Sequence, residues 1–220
     1  WFNDYVLSIK EDAYIVGEAW KPQSVIQSMY PSGISFFNFP LSQNNGNIVK
    51  MINAKNGQFL SQYVQQYQET IQSHNPDAID SIFLSNHDNG RSAGYLTTLE
   101  KQKLAASTYL LLPGNVFIYY GEEIGQLGSG KDENKRLPML WGDDQGKTLA
   151  PSGADYKGEL DMNVKDQLKD KNSLLQHYKE VVRIRNKYPE ISRGNAKSLD
   201  LNDKSLFAMD LNGIIVVHNF

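Results

Sequence analysis

Two short stretches carry the groups that could do chemistry. In DSIFLSNHDNGR (residues 80–91) an apolar run, Ser81, Ile82, Phe83 and Leu84, breaks abruptly into Asn86, His87, Asp88, Asn89, Gly90 and Arg91. In AYIVGEAW (residues 13–20) a second apolar run ends at Glu18, Ala19 and Trp20. A buried strand that ends in an imidazole, a carboxylate and a guanidinium presents them at its carboxyl end. In parallel α/β architectures that is where ligands bind and protons move. A second strand with a carboxylate at its tip brings another such group to the same rim. The plainer alternative is a strand followed by an Asx/Gly turn, with Asp88 and Arg91 as a solvated ion pair.

The elements that must position these groups follow from periodicity. The opening residues Trp1, Phe2, Tyr5, Val6 and Ile9 have helical spacing. After Pro22 a weak helix is expected over residues 24–29, and a short strand over residues 35–39. Residues 57–74 read as a helix with Phe59, Leu60, Tyr63, Val64, Tyr67 and Ile71 on one apolar face, stopped by Asn75-Pro76-Asp77. Another helix is expected over residues 98–112, ended by Pro113-Gly114. Val116, Phe117, Ile118, Tyr119 and Tyr120 form a fourth buried strand, ending at Gly121-Glu122-Glu123. Periodicity is lost over residues 125–172, and a helix resumes over residues 173–188. From Ser198 the pattern alternates, with short strands around Leu199 and Leu201, over residues 206–209 and over 214–217. Asn212-Gly213 marks a hairpin between the last two.

Repeated strand–helix units imply a parallel sheet with right-handed crossovers, followed by antiparallel strands. The expected division is a partial barrel over residues 1–193 and the start of a second, antiparallel domain over residues 194–220. The chain opens inside a helix and closes on a strand, so it reads as a segment of a longer protein.

Composition removes several classes. There is no cysteine among the 220 residues, which excludes disulfides, thiolate nucleophiles and Cys-ligated metals. The net charge is -3 and the 22 basic residues form no block, so neither a nucleic-acid footprint nor a membrane-binding basic patch is expected. No apolar run is long enough to span a bilayer. The 12 tyrosines, many in polar company, suit a surface that stacks on sugars.

YIVGEAW, FLSNHDNGR and GNVFIYYGEEIG, in this order and spacing, resemble the later conserved regions of the α-amylase superfamily, glycoside hydrolase family 13. DENKRLPMLW (residues 132–141) and SLLQHYKEVVRIRNKYPEISRG (residues 173–194) are similar to a loop and the eighth helix of its oligo-1,6-glucosidase and α-amylase branches. The resemblance implies the second half of a TIM (β/α)8 barrel, with its fifth to eighth strands, and then the antiparallel strands. It implies Glu18 as general acid/base and Asp88 as the second carboxylate, which holds sugar hydroxyls and stabilises the transition state. It implies His87, Asn86, Trp20 and Arg91 as substrate contacts, and an α-glucan or maltooligosaccharide as substrate. Two departures stand out: Val116 replaces the family's usual proline, and the region holding the nucleophilic aspartate is absent. The family's usual calcium ligands also lie mostly outside these residues, so no cofactor is expected within this segment, while calcium belongs to the full-length protein's possibilities.

The implied chemistry is cleavage of an acetal. Retaining enzymes use two carboxyls about 5–5.5 Å apart, one acid and one nucleophile. Partial desolvation of Glu18 beside Trp20 would raise its pKa, and Asp88 would stay ionised. Without the nucleophile the segment is expected to be inactive on its own. The non-catalytic alternative is a sugar-binding or structural half-barrel, which would pair with its missing half or self-associate through open strand edges.

Other motifs carry plainer readings. Glu122 and Glu123 are expected at a helix N-terminus, where carboxylates are favoured. His74, His177 and His218 lack metal-ligand spacing. GQLGSGK (residues 125–131) imitates a phosphate loop, but Asp132 stands where Ser or Thr must hold Mg²⁺.

Overall fold

The computed structural model describes residues 1–143, 148–156 and 163–220. In chain order the elements are α1 (Phe2–Ile9), β1 (Val16–Gly17), α2 (Gln23–Met29), β2 (Ser35–Phe36), α3 (Asn47–Ala54) and α4 (Gly57–His74). Then come β3 (Ser81–Phe83), α5 (Leu99–Leu110), β4 (Asn115–Phe117), α6 (Asp132–Lys135) and α7 (Val164–Gln167). The last are α8 (Leu174–Lys187), α9 (Glu190–Arg193), β5 (Ala196–Ser198), β6 (Leu206–Leu211) and β7 (Ile214–Asn219).

Four of these strands run parallel. β1 pairs with β2 in register Val16↔Ser35, and β3 pairs with β4 in register Ser81↔Asn115. A parallel bridge between Phe37 and Ser81 joins the two pairs, and the Asn38 amide donates to the Ser81 carbonyl over 2.8 Å. The order is therefore β1-β2-β3-β4, one parallel layer with helices outside it. The strands are shorter than the apolar runs that announce them, because each run bends into the rim after two or three paired residues.

The helices form where caps and spacing ask for them. Asn56 caps α4 by accepting from the Phe59 amide, and Ser173 caps α8 by accepting from the Gln176 amide. Leu60, Val64, Tyr67 and Ile71 of α4 are buried, while Phe59, expected on the same face, is exposed. α3 was not expected; Gly46 opens it and Ile48, Val49 and Ile52 bury its inner face. Two apolar cores result. One packs Ile26, Tyr30, Phe36, Phe39, Tyr67 and Phe83 between β1–β3 and α2 and α4. The larger one joins α3, α4, α5 and α8 to β3 and β6.

α8 also secures the approach to β4. Arg185 is buried; its Nη1 donates to the carbonyls of Leu110 and Leu112 over 2.8 and 2.7 Å, and its Nη2 donates to the Gly114 carbonyl. The first is a carbonyl that the end of α5 leaves without a helical partner, and the other two lie in the turn that leads into β4. At the opposite end of the strands from the motif-bearing rim, Asp80 Oδ2 accepts from Asn38 Nδ2 at 2.8 Å, and burial pushes its carboxyl up to about 7.

β5, β6 and β7 form a separate antiparallel sheet, with Ala196↔Leu211 and Leu206↔Asn219 in register. The strand expected around Leu199 and Leu201 lies earlier, at Ala196–Ser198. Leu201 is exposed, and Asn202 takes a left-handed turn at φ 59. The stretch 125–172 carries only the short α6 and α7 among its described residues; residues 144–147 and 157–162 lie outside the description. Among the described residues no helix is long and apolar enough to cross a membrane.

Candidate active site

The carboxyl ends of the parallel strands meet in one cleft of about 260 Å³. Glu18 from the tip of β1, Ser85, Asn86 and His87 from the tip of β3, and Ile118 and Tyr119 from the end of β4 line it. Its floor is aromatic: Phe37 meets Phe83 edge-on at 5.7 Å and Phe117 at 4.9 Å, and Phe39 meets Phe83 at 5.1 Å. The rings stand edge to face, so the floor is apolar without being a flat stacking platform, and a carboxyl and an imidazole stand on its wall.

Asp88 lies beside this cleft rather than among its lining residues. Its Oδ2 is 3.3 Å from His87 Nε2, and its Oδ1 accepts from Arg136 Nη2 at 2.9 Å. The carboxylate is about one-third exposed, so it remains open to a ligand. Lys135, nearly buried, donates from Nζ to the Asp88 carbonyl at 2.8 Å and to Asp132 at 2.8 Å. Two cations at the end of α6 thus hold the backbone and the side chain of one acidic residue.

The loop itself is built on Asn86. Its Oδ1 accepts from the Asp88 amide at 3.0 Å, the Asn89 amide at 3.1 Å and the Asn89 side chain at 2.7 Å. This is the Asx device that the alternative reading foresaw, and it occupies the side-chain carbonyl of a residue expected to bind sugar. Asn86 still faces the cleft.

Arg91 departs from the expectation of a substrate contact. Its side chain is 2 % exposed and lies between two rings, its Cζ 4.7 Å from the centroids of both Tyr119 and Tyr120. Nη1 donates to the Tyr120 carbonyl at 2.6 Å, and burial lowers the guanidinium's pKa against the pull of the two tyrosines. The Asp88–Arg91 ion pair of the plainer alternative does not form. Arg136 holds Asp88 instead, and Arg91 anchors the far end of the loop beneath the tyrosines.

Trp20 also sits apart from the cleft. It is exposed, stacks on Phe39 with ring centroids 5.4 Å apart, and borders a neighbouring open groove with Gln23, Gln43, Asn45 and Asn89. Phe39 is shared between groove and cleft. Glu18 is exposed too, so the described residues do not enclose its carboxyl as the sequence suggested.

Three residues whose contacts sequence reasoning does not reach belong to this site. Arg136 and Lys135 are in the DENKRLPMLW segment, whose basic pair is visible but whose target is not. Glu122 is the third: 3 % exposed, it accepts from Ser85 Oγ at 2.6 Å, Tyr109 OH at 2.6 Å and Tyr178 OH at 2.9 Å. Burial pushes its carboxyl up to about 7 despite those donors.

Comparison with known proteins adds the following. The family model described as alpha amylase, catalytic domain, matches residues 1–194. Alpha-amylase 3 of Dictyoglomus thermophilum is 36% identical over 99% of this chain, and alpha-amylase SusG of Bacteroides thetaiotaomicron is 30% identical over 96% of it. The chain spans 45% of the first and 32% of the second. Among solved structures, Eubacterium rectale Amy13B superposes with a TM-score of 0.89 at 37% identity, covering 99% of this chain and 45% of its own. The α-amylase of H. orenii superposes with a TM-score of 0.85 at 29% identity, with the same coverage.

Proposed function

The chain belongs to the alpha-amylase catalytic-domain family, with the TIM-barrel architecture of its glycosidases, and on that premise we propose that it carries one part of the active site of a retaining α-glucan hydrolase. In this reading β1 to β4 are the fifth to eighth strands of the barrel. The observation that carries it is the single cleft where Glu18 meets Asn86 and His87 over an aromatic floor, with Asp88 3.3 Å from His87.

Glu18 protonates the glycosidic oxygen as the leaving sugar departs, then deprotonates the water that enters. Asp88 and His87 hold hydroxyls of the sugar whose bond breaks, and the Asp88 charge favours the developing oxocarbenium ion. Arg136 keeps Asp88 aimed. Trp20, on its neighbouring groove, stacks on sugars at the other side of the bond. Arg91 supports the loop from below. The nucleophile that makes the reaction retaining comes from outside these residues, so the segment alone does not turn over starch. Among the described residues no group of three or more His, Asp or Glu side chains stands together as a metal site.

The test is hydrolysis of maltooligosaccharides and isomaltose by the longest natural protein that contains this chain, with Glu18→Gln as control. Activity that survives E18Q unchanged overturns the assignment of the acid. Turnover of an α-glucan by the purified 220-residue chain overturns the outside nucleophile.

A further inference from the structure

The loop that carries His87 and Asp88 is held at both ends by one turn. Ser85, at its start, donates to Glu122 Oε2 at 2.6 Å, and Arg91, at its end, donates to the Tyr120 carbonyl at 2.6 Å. Gly121 lies between, at φ +83, and a Cβ there would stand 2.9 Å from Arg91 Nη1. The loop's position therefore depends on how Glu122 is held, and Glu122 is held from two helices. Tyr109 of α5 and Tyr178 of α8 both donate to its Oε1, at 2.6 and 2.9 Å.

We propose that Glu122 is a positioning residue of the active site, a buried hub that receives Ser85, Tyr109 and Tyr178 together and thereby sets where Asn86, His87 and Asp88 stand. Three hydroxyl donors converge on one group. An ionised carboxylate has lone pairs for all of them, whereas a protonated acid or an amide turns one of its own positions into a donor. Gaining a proton therefore loosens or reverses one of the three links, and Ser85 is the one attached to the site. The groups that face this carboxyl are Tyr109 and Tyr178, the Arg91 guanidinium, the neighbouring Glu123 and, after the loop, Tyr95. The hydrogen bonds from Ser85, Tyr109 and Tyr178 favour the charged form, as does Arg91, while burial first and then Glu123 oppose it; burial prevails, so the hub changes protonation close to neutral pH.

The functional meaning of this coupling rests on the glucan-site reading, but the coupling itself does not. The test uses the longest natural protein that contains this chain, labelled for NMR. Carboxyl signals of glutamate and backbone amide signals of residues 85–91 are followed from pH 5 to 9 in wild type, E122Q, S85A and Y178F. The expected result is a step in the amides of Asn86, His87 and Asp88 that tracks the Glu122 carboxyl and is lost in E122Q. S85A, which keeps the buried acid and cuts only its link to the loop, is expected to lose the step as well. Amides of 86–88 that ignore E122Q and S85A overturn the proposal. So do changes spread equally into β5–β7, which would mark a general packing role. If E122Q does not fold, S85A and Y178F decide alone. Maltotriose added to the wild type tests the other reading: absence of binding would count against the glucan site while leaving the step intact.

Discussion

Arg136 donates from Nη2 to Asp88 Oδ1 at 2.9 Å, across 48 residues of chain, and so fills the place that sequence proximity would have given to Arg91. Both side chains are about one-third exposed, so the pair adds little stability, on the order of 0.5 kcal/mol. Its effect is on the orientation of Asp88. Arg136→Ala is expected to lower kcat/KM of the natural enzyme about tenfold, equivalent to ~1.4 kcal/mol in the transition state, while Tm moves by a degree or two. Steady-state kinetics beside calorimetry checks both, and an unchanged kcat/KM would show that Asp88 is aimed without it.

Gly121 supplies the left-handed turn between Tyr120 and Glu122. A Cβ there would lie 2.5 Å from Gln126 Oε1 as well as near Arg91. Gly121→Ala combines that contact with the left-handed penalty of about 1–2 kcal/mol for an L-residue. Urea unfolding should show a loss of at least that size, with the fluorescence of Tyr119 and Tyr120 altered.

Asp80 and Glu122 are two buried acids whose folded pKa values, both about 7, lie above those of the unfolded chain. An acid of this kind contributes stability that is complete below its unfolded pKa, near 4, and is lost as pH rises through about 7. The chain should therefore lose stability between those limits. Asp80→Asn removes one of the two titrations: little change is expected at pH 4.5, and a gain on the order of 2 kcal/mol over wild type at pH 8. Denaturant midpoints at the two pH values test the sign, and a larger loss at pH 8 than at pH 4.5 would refute it.

β1 pairs only with β2, and β4 only with β3, so each outer strand has one side without a partner among the described residues. Near these edges Tyr14, Phe117, Ile118 and Tyr120 are exposed. Open edges beside apolar side chains favour strand addition. The isolated 220-residue chain is expected to self-associate in light scattering at ~100 µM, a concentration typical of weak contacts, and to become monodisperse when the complementary part of the barrel is supplied. A monodisperse monomer without it would sink that expectation.

Legibility from sequence followed the distance over which each signal acts. α4 was readable to its ends, because a 3.6-residue apolar period, an Asn cap and an Asn-Pro stop are all local. α3 escaped because its eight residues sit between asparagines and glycines that read as loop. The hairpin of β6 and β7 was plain from Asn-Gly, whereas β5 was misplaced by three residues: Leu199 and Leu201 alternate like a strand, but the ladder ends at Ser198 and beyond it the Leu199 amide still donates to the Ala208 carbonyl over 3.0 Å. Glu18 and His87 were found at the rim because apolar runs ending in ionisable groups are a local pattern. Glu122 does open a short helical turn, as expected, but its contacts with Ser85, Tyr109 and Tyr178, like those of Arg91 with Tyr119 and Tyr120, come together only through packing. The role of Arg136 could have been suspected from the rule that a half-buried carboxylate needs a cation, but no rule named which cation.

The clamps on residues 85–91 also fix an order of events. Tyr120, Glu122, Lys135, Arg136 and Tyr178 all follow the loop in the chain, some by more than forty residues. During synthesis from the N-terminus, His87 and Asp88 leave the ribosome long before anything exists to restrain them. The working shape of this corner is a late acquisition, reached only when α8 has arrived. A chain halted before that point would display the motif without its geometry.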